Sequence, residues 1–280
     1  MSGRRPDRVQ ADPGPVGSGA GSRPGSGARS NLVDARQRPA GARAARVGVR
    51  ATLGGAGAAA VGAGAYSSFL LAPAVHSRLS AASSFVSELE ANGQPHADFF
   101  RLTDVVSGLL IILVAVVLHR VLPRDRMVTL GCQLVAVMGV ASMTDGATEM
   151  GCAPSLNAAC RAKDSTLSGL LGQTFESHTL SGLAGFVGGA GGMLLLGVAL
   201  RRYDARWGTA SAVLGFALAA VGLVDLGLLA VHHWFGLAER ARALLVSLWL
   251  LGAAAYLAAA GSRVASATGQ RSGSAPSSLS

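Results

Sequence analysis

The sequence predicts an all-α fold, a polytopic membrane bundle of six transmembrane helices with both termini on the cytoplasmic side. Three observations carry that expectation. Half of the 280 residues are apolar and only 14% are charged, where an ordinary soluble domain carries about a quarter. Six apolar stretches each approach the ~20 residues that a helix needs to cross a bilayer. Arginines gather on alternate connections, as the positive-inside rule requires. The net charge of +9 and an isoelectric point near 10.9 would also suit a nucleic-acid binder; the apolar stretches decide for the membrane.

Residues 1–50 hold ten arginines against Asp7, Asp12 and Asp34, and are otherwise rich in Gly, Pro, Ser and Ala, with no aromatic residue. Such a segment buries too little apolar area to offset its ordering entropy, so a disordered cytoplasmic tail is expected. Its arginines suit anionic lipid headgroups. Specific nucleic-acid binding is not expected, because no interleaved aromatics or folded reader accompany them. Residues 262–280 read as a second disordered cytoplasmic tail.

The membrane domain, 51–261, contains spans at about 51–75, 99–118, 127–144, 179–200, 207–231 and 243–261. The first, third, fourth and sixth carry no charge; the second holds Arg101 and Asp104, and the fifth holds Asp225. The first is mostly Ala and Gly up to Tyr66, and a 50-residue lead is far too long for the n-region of a signal peptide. Arg120, Arg124 and Arg126, then Arg201, Arg202 and Arg206, and then Arg263 and Arg271 fall on the inner side. The outer loops hold Arg78, Arg161, Lys163, Arg240 and Arg242. This places the chain as a multi-pass protein of the cell membrane.

Three segments face outward in this arrangement. In residues 76–98, Leu79, Phe85, Val86 and Leu89 recur at helical spacing between Ser87, Glu88 and Glu90, which predicts a short amphipathic helix serving as a lid. Residues 145–177 carry Cys152 and Cys160, on the side where disulfides persist, so a bridge is expected. Zinc is not expected at that pair, which lacks C-x-x-C spacing and a second pair. Cys132, inside the third span, reads as a packing residue. His232, His233, Trp234 and Phe235 make a short third segment with an interfacial aromatic anchor.

The run Ser84-Phe-Val-Ser-Glu-Leu-Glu-Ala-Asn-Gly-Gln-Pro95, followed by an apolar helix with Gly108, resembles the entry motif of the bacterial and archaeal family called domain of unknown function 998. Gly151-Cys152-Ala-Pro-Ser with Cys160 and then His178, and Gly236-Leu-Ala-Glu-Arg240 leading to Trp249, resemble the same family. The resemblance covers roughly residues 55–260 and implies a six-helix integral membrane protein with no established activity. In that family an acidic residue often precedes the first cysteine; Gly151 stands there in this chain, which leaves Glu149 or Asp145 as the substitutes.

Charged groups at membrane depth are costly and usually face a bundle interior. Asp104, Asp145, His178, Asp225 and His232 all fall toward the outer side. His178 shares a stripe with Ser181, Gly185, Gly189 and Gly192; Asp225 shares one with Gly215, Ala219 and Gly222; Asp104 shares one with Gly108 and Ala115. Small-residue stripes are where membrane helices pack closely. The expectation is an outward-facing polar pocket that binds a lipid headgroup or small polar solute, with membrane lipids as partners and no cofactor.

Two alternatives stay open. One is a purely structural scaffold, in which these residues pair locally. The other is a zinc-dependent lipid hydrolase, similar in outline to the alkaline-ceramidase-like membrane hydrolases, with His178, His232 and Asp225 as the candidate ligands. Adjacent His232 and His233 diverge by about 100° on a regular helix, which works against that site. No G-x-x-x-x-G-K-[ST], G-x-S-x-G or H-E-x-x-H motif points to an enzyme. The glycine run at 188–192 lies inside an apolar helix, where close packing explains it.

Overall fold

Helix starts follow the polar residues that flank the apolar runs. In the computed structural model, which describes residues 48–164, 177–230 and 234–273, Asp125 Oδ1 accepts from Met127 N–H at 2.7 Å. Asn157 Oδ1 accepts from Ala159 and Cys160 N–H at 2.9 and 3.1 Å. Asp204 Oδ1 accepts from Trp207 N–H at 3.1 Å. Each satisfies a donor that the first helical turn leaves open.

The helices are α1 (48–66), α2 (Ala97–Val121), α3 (Arg126–Ala147), the short α4 (Ala158–Asp164), α5 (Ser177–Leu200), α6 (Ala205–Ala230) and α7 (Phe235–Gly273). Two 3-10 turns, Ser68–Leu71 and Ser87–Glu90, lie between α1 and α2. No strand occurs among the described residues.

Five helices, α2, α3, α5, α6 and α7, contain stretches long and apolar enough to cross a membrane. The first helix is not among the five. It ends at 66, short of the expected 75, because Ser67, Ser68 and then Pro73 break the regular run, and its Ala and Gly residues make it the least apolar. Two other boundaries also move. α7 begins at Phe235, a full two turns before the expected 243, and continues past 261 to Gly273, since no proline stands in its way before Pro276. The segment expected to be an amphipathic helix is instead a series of turns with one 3-10 turn at Ser87–Glu90.

Helices α2, α3, α5, α6 and α7 pack in sequence order. α1 lies against both ends of that row, since a Cβ on Gly55 would meet Val117 and Leu257, and one on Gly261 would meet Thr52. Glycine decides the closest crossings. A Cβ on Gly108 of α2 would lie 2.4 Å from Gly139 O of α3, and one on Gly188 of α5 would lie 2.6 Å from Leu134 O. No larger residue fits where backbone meets backbone. The core runs through Ile111, Val114, Leu118, Val135, Met138, Met193, Leu196, Trp249, Leu250 and Leu257, all essentially sealed from solvent.

Candidate functional site

The ends of α1, α3 and α6 and the starts of α2, α5 and α7 meet at one end of the bundle, beside the Cys152–Cys160 disulfide. Hydroxyls tie neighbouring helices together there. Ser67 Oγ donates to Ser247 Oγ at 2.7 Å, and Thr103 Oγ1 to Ser68 Oγ at 2.8 Å. The Ser107 and Ser142 hydroxyls are 3.0 Å apart, and both bond the carbonyl of Asp104. These residues are short and polar, so they satisfy each other without opening the helix packing.

Above this layer, residues 76–96 lie across the bundle end and are held from three sides. Glu88, only 1% exposed, accepts from Phe85 N–H at 3.0 Å, from Ser155 N–H at 3.0 Å, and from the Ser155 hydroxyl. Glu239 of α7 accepts from Val86 N–H at 2.7 Å. Arg240 donates to the carbonyls of Ala81, Ser84 and Gly236 at 2.9–3.0 Å. Phe85 packs on Phe235 with centroids 4.6 Å apart, while Leu89 sits among Phe69 and Phe100. Ser87 is half-buried beside them. Glu88 and Glu90 therefore point into the protein, and their 3-10 turn has no polar face toward solvent.

Glu90 is 4% exposed, and no N–H or hydroxyl reaches its Oε2. Its carboxyl faces that of Asp104 on α2 at hydrogen-bonding range, with Asp145 of α3 close enough to act on both. Burial, then the Asp104 carboxyl, push the Glu90 carboxyl well above the usual carboxylate range, against the opposing pull of Arg101. Two carboxyls in contact cannot both be ionised unless a cation lies between them, so this pair holds a proton. Ser181 of α5 donates to Asp145. Tyr66, at the end of α1, stands within electrostatic reach of Asp104 and Asp145 and also of Arg242 and Glu239.

The structure thus brings Asp104 and Asp145 together and adds Glu90. Asp225 goes elsewhere: its Oδ2 pairs with Arg242 at 3.0 Å, and that guanidinium lies 5.8 Å from the Phe186 ring centre. Asp225 Oδ1 and Arg242 Nε are buried without partners. The side chain of His178 and all of His232 lie outside the described residues. Among the described residues, no three His, Cys, Asp or Glu side chains stand close enough to hold a metal ion.

Arg242, Glu239 and Tyr66 were not singled out from sequence as parts of this site. The signal was present for the first two, because Phe235–Leu237 continue the apolar period of the last span backward through Glu239 and Arg242. Nothing local distinguishes Tyr66.

Beside the acidic group, α3 and α5 part to leave an open apolar groove of about 530 Å³, lined by Ala136, Val137, Val140, Thr144, Leu180, Ser181 and Ala184 among others. No curated protein and no solved structure matches the chain. A family described as protein of unknown function (DUF998) matches residues 59–256, which takes in the groove, the disulfide and every acid described above. The chain is a multi-pass helical membrane protein that belongs to the DUF998 family.

Proposed function

We propose that the protein binds a lipid or other amphiphile at the disulfide end of the bundle. The headgroup sits against the acidic group, and an apolar chain lies in the α3–α5 groove. One observation carries this reading: Ser181 lines the groove and its hydroxyl donates to Asp145, so a single side chain links the apolar groove to the acidic group. Sites for amphiphiles combine an apolar lining with a few convergent polar groups.

The positive-inside rule supports placing this end on the outer face of the cell membrane, with α1 as a sixth span and both tails in the cytoplasm. The arginine-rich tail would then meet the anionic inner leaflet. A scaffold role draws support from the local pairing of Asp225 with Arg242. Nothing among the described residues favours the metal-dependent hydrolase.

The test is mass spectrometry of lipid that co-purifies with the protein in mild detergent. Ala184→Phe fills the groove and is expected to strip bound lipid while leaving the melting temperature unchanged. Asp225→Asn, at a residue that does not line the groove, is expected to keep it. Full lipid retention by Ala184→Phe would sink the proposal.

A further inference from the structure

We infer that the chain of the bound amphiphile carries a hydrogen-bonding group, a hydroxyl or a ketone, about a dozen carbons from its head, and that the Gln133 amide receives it. This rests on the amphiphile-binding reading above. The argument begins with where the amide stands. Gln133 lines the α3–α5 groove and is exposed. It lies seven residues along α3 from Arg126 and fourteen from Ala147, about 10 and 21 Å at the helical rise. Neither end of the span is within reach of a side chain with two methylenes, so the amide cannot turn to water.

The second observation is that this amide is unmet. Three side chains with polar groups line the groove. The Thr144 hydroxyl donates to Val140 O at 3.0 Å, and that of Ser181 donates to Asp145. No described residue offers the Gln133 amide a hydrogen bond. An amide without a partner is costly in hydrocarbon, where polar groups must be satisfied by the protein or by what binds to it. No other Asn or Gln occurs within a membrane-spanning helix among the described residues.

The register gives the chemistry. Gln133 and Thr144 are eleven residues apart on one helix, about 16 Å, which an extended hydrocarbon chain covers in about a dozen carbons. A head at Ser181 and Thr144 therefore sets that part of the chain beside the amide. The amide offers two N–H donors and a carbonyl acceptor, so a hydroxyl engages either side and a ketone engages the donors; an unbroken alkyl chain engages neither. A second copy of this chain would bring its own Gln133 to the same depth. Leu130, Val137 and Val140 flank the amide as exposed bulky groups, however, where helices that associate in membranes carry small ones. A thin chain fits where a helix is held off.

The experiment uses the full chain in mild detergent and two monoacylglycerols with the same neutral head. Native mass spectrometry compares retention of the 12-hydroxystearoyl lipid with that of the stearoyl lipid. The expected result is a preference of about tenfold for the hydroxylated chain, equivalent to about 1.4 kcal/mol. Gln133→Leu should hold both lipids equally, and Gln133→Met, closer in shape, should do the same if the leucine variant does not fold. A 2-hydroxystearoyl lipid, with its hydroxyl beside the head, should gain nothing over stearoyl.

Equal retention of the 12-hydroxystearoyl and stearoyl lipids by the unaltered protein overturns the inference and leaves the groove reading standing. A preference that survives both Gln133 variants, or that the 2-hydroxystearoyl lipid shares, does the same. Full retention of both lipids by Ala184→Phe overturns the amphiphile reading itself. A dimer in the same spectra that Gln133→Leu dissolves would give the amide to a second copy and overturn the assignment to a lipid chain.

Discussion

Along α7 the surroundings change within two turns. Arg242, near its start, lies among Asp225, Phe186 and the Tyr66 hydroxyl, with a guanidinium nitrogen left unpaired. Trp249 lies among apolar side chains; its Nε1 donates to Ser211 Oγ at 2.9 Å, and that hydroxyl donates to Met193 O at 2.8 Å. Trp207 stacks on Tyr256 with centroids 5.5 Å apart and reaches Trp249 at 6.0 Å. In the arginine-flanked half, the Trp249–Ser211–Met193 chain ends on a backbone carbonyl, and Trp207 Nε1 is the only buried side-chain N or O among the described residues there without a partner. Among the described residues of the disulfide half, Glu90 Oε2 and Asp225 Oδ1 are buried acceptors without a partner, and Arg242 Nε is a buried donor without one. The arginine-flanked half satisfies nearly all of its buried polar groups, while the disulfide half leaves several of those described without a partner.

That contrast can be tested from its strongest point downward. Gly108→Leu should have the largest effect, because the added carbons must displace the Gly139 carbonyl and part α2 from α3. Overpacking against backbone should exceed about 3 kcal/mol, read as loss of the monodisperse peak on size exclusion. Gly182→Leu, where nothing lies within 4 Å of the new carbon, is the matched control and should behave as the unaltered chain.

Trp249→Ala should follow at about 3–5 kcal/mol, measured by thermal unfolding in detergent. Its side chain is fully sealed, and its loss also leaves the Ser211 hydroxyl without its donor. A small effect here would mean that the arginine-flanked half is not the rigid part of the bundle.

Glu88→Ala should cost about 2–3 kcal/mol, since it strands the N–H groups of Phe85 and Ser155 in a sealed site. Hydrogen exchange should rise across residues 80–96 and around Ser155 while α7 beyond Trp249 keeps its protection. Uniform exchange across the chain would show that the two halves unfold together.

Glu90→Gln should have the smallest effect and the opposite sign. The folded state raises the Glu90 pKa, so its contribution is fully present below the ordinary carboxylate pKa and is lost as pH rises toward the raised value. The neutral variant lacks that loss. Its melting temperature should therefore match the unaltered protein near pH 4 and exceed it at pH 8. Parallel melting curves across that range would remove the shared proton from the account.

Much of the architecture was legible because membrane helices announce themselves locally. Long uncharged runs can cross a bilayer only as helices, and α2, α3, α5, α6 and α7 follow such runs. The glycine stripe of α5 marked a contact face, and Gly185, Gly189 and Gly192 do meet Ala141, Met138 and Val135 of α3. The two loop cysteines are bridged. Helix ends were less legible, since the apolar period of α7 passes smoothly through Arg240 and Arg242.

The sequence alone determined that the chain is a helical membrane bundle with acids near the end that carries the disulfide, because span length, charge and periodicity act over a few turns. Only the tertiary structure decided which acid meets which partner. Asp104 turned toward Glu90 from a loop that reads as amphipathic helix, and Asp225 turned away to Arg242. Such pairings depend on helix rotation and on a loop folded back over the bundle, both set by long-range packing that no local pattern encodes.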